Sequence, residues 1–73
     1  MKTLKDVKRG QSAVVLKINC EKALKRRLLD MGLTKGITVA VRKIAPLGDP
    51  IEISLRGYAL GIRRSDAGGI VVD

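Results

Sequence analysis

Hydrophobic and polar residues alternate along several short stretches of this chain, a pattern typical of half-buried β-strands. The alternation is clearest over residues 51–56, where Ile51, Ile53 and Leu55 are separated by polar side chains. Similar runs predict further strands at residues 12–18, 37–44, 58–64 and 69–72. At Lys43 and Ile44 the alternation fails, which predicts a bulge or the end of that strand.

Each of these strands is predicted to turn one face toward the core. In the first strand that face consists of Val14, Leu16 and Ile18. In the fourth strand it consists of Tyr58, Leu60 and Ile62. Gly57 separates the third and fourth strands and predicts a tight hairpin turn with a positive φ at the glycine. Strands this short hide their inner faces by curling, so the pattern predicts a mainly β fold, a closed or nearly closed small barrel.

One stretch between the first two strands follows the period of an α-helix instead. Its apolar stripe consists of Leu24, Leu28 and Met31. Asn19 is expected to cap this helix, with Glu21 in the first turn. Gly32 is expected to end it in the left-handed conformation, so that Leu33 folds back on Leu28 in a Schellman motif.

Two loops carry the remaining turn signals. Residues 45–50 contain Pro46 and Pro50 around the turn pair Gly48–Asp49. Residues 65–69 end in two glycines, which allow at most one short helical turn, with Ser65 as its expected N-cap.

The length of 73 residues leaves room for one domain, residues 1–73, with a modest core. A single cysteine excludes an internal disulfide and is typical of a reducing compartment. The first residues lack the apolar stretch of a secretory signal, and no apolar run is long enough to span a membrane. We therefore expect a cytoplasmic protein.

Fifteen Lys and Arg against seven Asp and Glu give a net charge of +8, which attracts polyanions. The candidates are nucleic acid, an anionic membrane surface and an acidic protein surface, and solubility alone is the simplest alternative. Proteins that bind single-stranded nucleic acid stack bases on aromatic side chains, and Tyr58 is the only aromatic residue. A basic nucleic-acid-binding barrel is therefore kept as the weaker alternative.

The residue inventory argues against an enzyme. The chain has no histidine, its carboxylates are scattered singly, and no glycine-rich phosphate loop is present. Cys20 has no imidazole to activate it, and one cysteine is too few ligands for a transition-metal site. We expect Cys20 to be a small buried residue at the start of the helix, and we predict no cofactor or metal.

Several short motifs, taken in order, resemble the ferrous iron transport protein A family, the FeoA-type domain. The resemblance extends over nearly the whole chain. It is carried by Arg27-Leu28, Met31-Gly32-Leu33, Gly36, Pro46-x-Gly48-Asp49-Pro50 and Arg56-Gly57-Tyr58.

The resemblance implies an SH3-like small β-barrel of about five strands, with one helix between the first two. It also implies a small cytosolic accessory protein that binds the membrane ferrous iron permease FeoB, whose cytosolic part is a G-protein domain. GTP hydrolysis and iron passage would then belong to that partner. The same barrel type forms the C-terminal domain of iron-dependent repressors. In this sequence no DNA-binding domain precedes it, so a free-standing module is favoured over a regulatory one.

By analogy with other SH3-type barrels, the helix and its exit are the predicted contact surface for the permease. Arg26 lies on the outer helical face, and Arg27 matches the family pattern. Met31 and Leu33 would form an apolar centre if partly exposed. Asp49 belongs to the matched proline-containing loop, which is the alternative face.

Overall fold

Five antiparallel strands and one α-helix between the first two form most of the protein in the computed structural model, which describes residues 1–73. The strands are β1 (Ser12–Ile18), β2 (Thr38–Ile44), β3 (Ile51–Leu55), β4 (Tyr58–Ile62) and β5 (Ile70–Val72). The helices are α1 (Lys22–Asp30) and the one-turn α2 (Arg64–Ala67), and a short 3-10 turn spans Leu4–Asp6. The predicted mainly β fold, with its helix between the first and second strands, is confirmed.

The strands lie in the order β4-β3-β2-β1-β5, and all neighbours are antiparallel. Residues from all five strands and from α1 bury their side chains in one aliphatic core. The sheet therefore curls around that core as a small barrel. It does not close, because β4 and β5 stand at opposite ends of the strand order and do not pair with each other.

The inner face predicted for β1 is partly wrong. Its buried residues are Ala13, Val15 and Ile18, whereas Val14 is half-buried and Leu16 is exposed. The cause is a bulge, since the pairing of β1 with β5 shifts register between Val15 and Lys17. Such an extra residue reverses the faces of the strand on one side of it.

The predictions for β2 and β3 are confirmed. The register between these strands shifts between Val41 and Lys43, where the alternation fails in the sequence. Ile51, Ile53 and Leu55 are all buried, as their alternation predicts.

The hairpin that joins β3 to β4 has the predicted turn, but one residue after it points elsewhere. Gly57 has φ 86° and follows Arg56 with φ 48°, so both turn residues are left-handed. Tyr58, which the alternation placed inside, is 43% exposed, while Ile62 at the other end of β4 is buried. Tyr58 directly follows the turn, beyond the core, and its hydroxyl lies against Gly32 after the end of α1.

The end of α1 has the predicted Schellman geometry. The Gly32 N–H donates to the Leu29 carbonyl at 3.0 Å, and the Leu33 N–H donates to the Leu28 carbonyl at 2.9 Å. Gly32 has φ 93°, a conformation that costs a residue with a side chain about 1–2 kcal/mol. Both Leu28 and Leu33 are buried in the core.

The predicted N-caps of the two helices are wrong. Glu21, not Asn19, occupies the N-cap of α1, and no side chain caps that helix. Asn19 stays with the sheet instead, because its N–H donates to the Gly69 carbonyl at 2.6 Å. The single turn expected in residues 65–69 is present as α2, but its N-cap is Arg63 rather than Ser65.

The two ends of the chain lie side by side at β5. Thr3 forms a bridge with Val71, and the Val72 N–H donates to the Lys2 carbonyl at 3.0 Å. The same segment is fixed by Asp6, whose carboxylate accepts a hydrogen bond from the Thr3 N–H at 2.9 Å. That hydrogen bond holds the pKa of Asp6 below its ordinary value. The outer edge of β5 is therefore covered by the N-terminal segment.

Candidate partner-binding site

A groove of about 400 Å³ runs between α1 and β4. The two elements lie along it in opposite directions. Tyr58, at the start of β4, contacts Gly32 at the exit of α1. At the other end, the Cys20 Sγ before α1 is 3.7 Å from the carbonyl of Asp66 in α2, which follows β4. The groove is lined by Glu21, Leu24, Arg27, Leu28, Met31, Leu60, Gly61, Ile62, Arg63 and Asp66.

The spacing of residues along α1 decides which side chains face the groove. Leu24 lies three and four residues before Arg27 and Leu28, and Met31 lies three and four residues after Leu28 and Arg27, which puts all four on one side of a helix. Only Leu28 is fully buried, so Leu24 and Met31 leave part of their apolar surface open to the groove. The result is an apolar floor with charged groups of both signs at its rim.

Of the five predicted contact residues, the structure brings two together in this groove, Arg27 and Met31. Arg26 is exposed on the outer side of α1, where it lines a separate shallow depression with Lys22 and Ala23. Leu33 is fully buried, so the condition under which it would join an apolar contact centre, partial exposure, is not met. Its side chain holds the end of α1 to the core.

Asp49, the fifth predicted contact residue, accepts a hydrogen bond from the first residue of α2. Its Oδ1 accepts a hydrogen bond from the Arg64 N–H at 3.0 Å, which satisfies a donor at the start of that helix. Asp49 thereby fixes the loop of residues 45–50 against α2. The loop itself is tight, since the Gly48 N–H donates to the Ala45 carbonyl at 2.7 Å.

This loop presents one large aliphatic side chain, that of Leu47, to solvent. Leu47, at the tip of the loop, is 95% exposed. An isolated exposed leucine is common on protein surfaces, so by itself it marks no site.

The β4 side of the groove was missed by sequence reasoning. Leu60 was assigned to the core, and it is half-buried at the boundary between the core and the groove. Arg56 and Tyr58 cover Gly32, since a Cβ atom there would lie 3.2 Å from Arg56 Cδ and 3.3 Å from Tyr58 Oη. The Arg56-Gly57-Tyr58 motif was visible in the sequence, but its contact with the exit of α1 depends on the tertiary fold.

The side-chain hydrogen bonds of the protein do not involve its basic side chains. The side chains that form hydrogen bonds are those of Thr3, Asp6, Gln11, Cys20, Asp49 and Asp73. No lysine or arginine side chain is among them, so none of the fifteen cationic groups is held by a hydrogen bond within the protein.

Cys20 is half-buried and packs against the core. Burial raises the pKa of its thiol, and the negative charge of Asp66 acts in the same direction. The protonated thiol is a poor nucleophile and a poor metal ligand at neutral pH. His, Cys, Asp and Glu residues form no group of three or more that could hold a metal ion. Neither helix has the length and apolar character needed to cross a membrane.

Residues 2–73 match the family model of the FeoA domain. A fusion of Fe(2+) transport protein A with the Fe(2+) transporter FeoB in Porphyromonas gingivalis is 33% identical over 70 residues. That match covers 96% of this chain but only 8% of the fusion protein.

Solved structures with the same fold are also similar in sequence. The FeoA protein of Chlorobium tepidum superimposes with a TM-score of 0.94 at 44% identity, over 97% of this chain and 68% of the other. The zinc complex of Stenotrophomonas maltophilia FeoA, described as a procaryotic SH3 domain protein, gives a TM-score of 0.81 at 30% identity. That match covers all of this chain and 91% of the Stenotrophomonas maltophilia protein. The predicted SH3-like barrel is thus confirmed.

Proposed function

Because the chain belongs to the FeoA family, we propose that it is an accessory protein of ferrous iron uptake that binds the cytosolic portion of a FeoB-type permease. The Porphyromonas gingivalis relative supports this proposal, because it joins an FeoA sequence and a FeoB sequence in one polypeptide. Domains that are joined in one polypeptide commonly act together. The role proposed here is binding, with iron passage and nucleotide hydrolysis left to the permease.

The groove between α1 and β4 is the single observation that carries the choice of binding surface. It combines a partly open apolar floor, at Leu24 and Met31, with the cationic side chain of Arg27 at its rim. An apolar centre with a polar rim is the usual composition of a protein–protein interface, and the residues near its centre contribute most to affinity. Arg26, on the outer side of α1, would contact the periphery of the partner.

The net charge of +8 contributes to encounter rather than to specificity. It speeds association with an acidic partner. It also attracts the protein to the anionic cytoplasmic leaflet that surrounds a membrane permease, over about one Debye length.

The test compares Met31→Ser and Arg27→Glu with Arg42→Glu, after each variant is shown to be folded. Arg42 is exposed on β2, which lines no part of the groove, so it controls for the change in charge. We expect both groove variants to bind permease-containing membranes at least about tenfold more weakly, a loss of about 1.4 kcal/mol. They should also fail to restore ferrous iron uptake, while Arg42→Glu retains both properties.

Two results would contradict the proposal. If the groove variants bind normally and Leu47→Ser alone loses binding, the contact surface is the loop of residues 45–50. If the unaltered protein ignores the permease but binds nucleic acid with a steep dependence on salt, it acts as a basic nucleic-acid-binding barrel.

A further inference from the structure

The free edge of β4 is a row of backbone groups without partners. β4 is the last strand in the order and pairs only with β3. Leu55 and Tyr58 pair across the two-residue turn, so the N–H and C=O groups of Ala59 and Gly61 point away from β3. None of the hydrogen bonds made by turns, loops and caps involves these two residues. We call Ala59 and Gly61, with their outward backbone groups, the β4 edge.

The β4 edge lacks the features with which proteins usually protect an exposed strand. β4 contains no charged residue and no proline, and its register with β3 is regular along its whole length. The opposite edge of the sheet is different, because the N-terminal segment covers β5 through Lys2 and Thr3. One edge of this sheet is therefore covered and the other is left available.

The space beside the β4 edge is open and bordered by α1. Both Ala59 and Gly61 are exposed, and a Cβ atom added at Gly61 would meet no atom within 4 Å. Leu60, Gly61 and Ile62 form one side of the groove, and α1 forms the other. A strand added to a sheet lies about 4.8 Å from its neighbour, and a glycine within a strand often marks a place where another backbone approaches closely.

We propose that the β4 edge binds an extended peptide segment, which joins the sheet as an additional strand. This inference rests on the function proposed above, and assigns the segment to the cytosolic portion of the permease. Its backbone would exchange hydrogen bonds with Ala59 and Gly61. Alternate side chains would reach the apolar floor at Leu24 and Met31, as in other complexes formed by strand addition.

Charge favours a partner segment over a second copy of this chain. Two copies would each bring a net charge of +8 to the contact, so they would repel each other. A neutral or acidic segment meets no such repulsion. Its carboxylates could pair with Arg27, whose side chain makes no hydrogen bond within the protein.

Hydrogen exchange of individual amides, measured by NMR in the unaltered protein with and without the permease's cytosolic portion, tests the proposal directly. We expect exchange at Ala59 and Gly61 to slow by at least about tenfold in the complex. Binding without this protection overturns the inference but leaves the proposed function intact. An absence of binding overturns both. Protection that increases with protein concentration alone overturns the inference in favour of a second copy.

A pair of variants tests the same hydrogen bonds. Ala59→Pro removes an outward N–H that takes no part in the pairing with β3, a position where an edge strand accepts proline. Ala59→Val adds similar bulk and keeps the N–H. Once both are shown to be folded, we expect Ala59→Pro to weaken binding about tenfold relative to Ala59→Val. Equal affinities for the two variants would overturn the inference.

Discussion

Two adjacent glycines ahead of β5 have very different surroundings. Gly68 has ordinary helical angles, and a Cβ atom there would have its nearest neighbour, the Ser65 carbonyl oxygen, at 3.4 Å. A Cβ atom at Gly69 would collide with the carbonyl oxygen of Asn19 and lie 3.1 Å from the Cys20 Sγ. Gly69 is therefore required for the close approach of two backbone segments, and Gly68 is not.

We predict that Gly69→Ala lowers the free energy of unfolding by about 1–3 kcal/mol, the usual cost of forcing an extra methyl group into a packed site. Gly68→Ala is the matched control. Since its angles suit alanine, it should be neutral or stabilise by about 0.4–1 kcal/mol through the unfolded chain. Urea unfolding of the two variants measures the difference, and equal midpoints would show that the contact with Asn19 is not rigid.

Local pattern predicted some of these residue roles and could not predict others. Gly32 and Gly57 were assigned positive φ from the helix end and the hairpin around them, and both assignments are confirmed. The requirement for Gly69 comes from Asn19, which is far away in sequence. Leu33 shows the same limit, because its motif placed it correctly against Leu28 but did not reveal how deeply it is buried.

The loop between β2 and β3 is joined to α2 by one side chain. We predict that Asp49→Ala lowers the free energy of unfolding by about 0.5–2 kcal/mol, as loss of a helix cap does. Asp49→Asn keeps an oxygen that can accept the hydrogen bond from Arg64, so it should retain most of the stability. Thermal melts distinguish these outcomes, and an equal loss in both variants would point to the charge of Asp49 rather than to its hydrogen bond.

The elements themselves were largely predictable, while their edges and faces were not. All five strands and α1 follow from alternation and from helical spacing in the sequence. The bulge in β1 escaped prediction because it exists only in the pairing with β5, the last strand of the chain. The groove could not be predicted from the sequence for a related reason. It requires β4 to be an edge strand beside α1, which is a property of the strand order and not of any one segment.

The charge of the molecule acts on its stability as well as on its partners. With a radius of gyration of 10.8 Å, the whole protein lies within one Debye length at low salt, so its like charges repel across the entire molecule. We predict that the melting temperature rises by several degrees between about 10 and about 150 mM sodium chloride, over which the Debye length falls from about 30 to about 8 Å. The repulsion is strongest in the compact state, so its screening stabilises the fold.

A double variant provides the control for this prediction. Lys8→Glu together with Lys17→Glu changes two exposed positions and halves the net charge from +8 to +4. Its melting temperature should be higher at low salt and should depend less on salt. Equal salt dependence in the two proteins would mean that self-repulsion contributes little to stability.

The two chain ends are adjacent, which makes this fold easy to insert into a longer protein. Because Lys2 and Val72 are joined by a hydrogen bond, a longer polypeptide would enter and leave the fold at nearly one point. A FeoA domain of this shape can therefore be added to a larger protein without a change in the structure of the rest of that protein. The junction lies on the β5 side of the sheet, so such an addition leaves the backbone groups of β4 unpaired and ready to accept a strand.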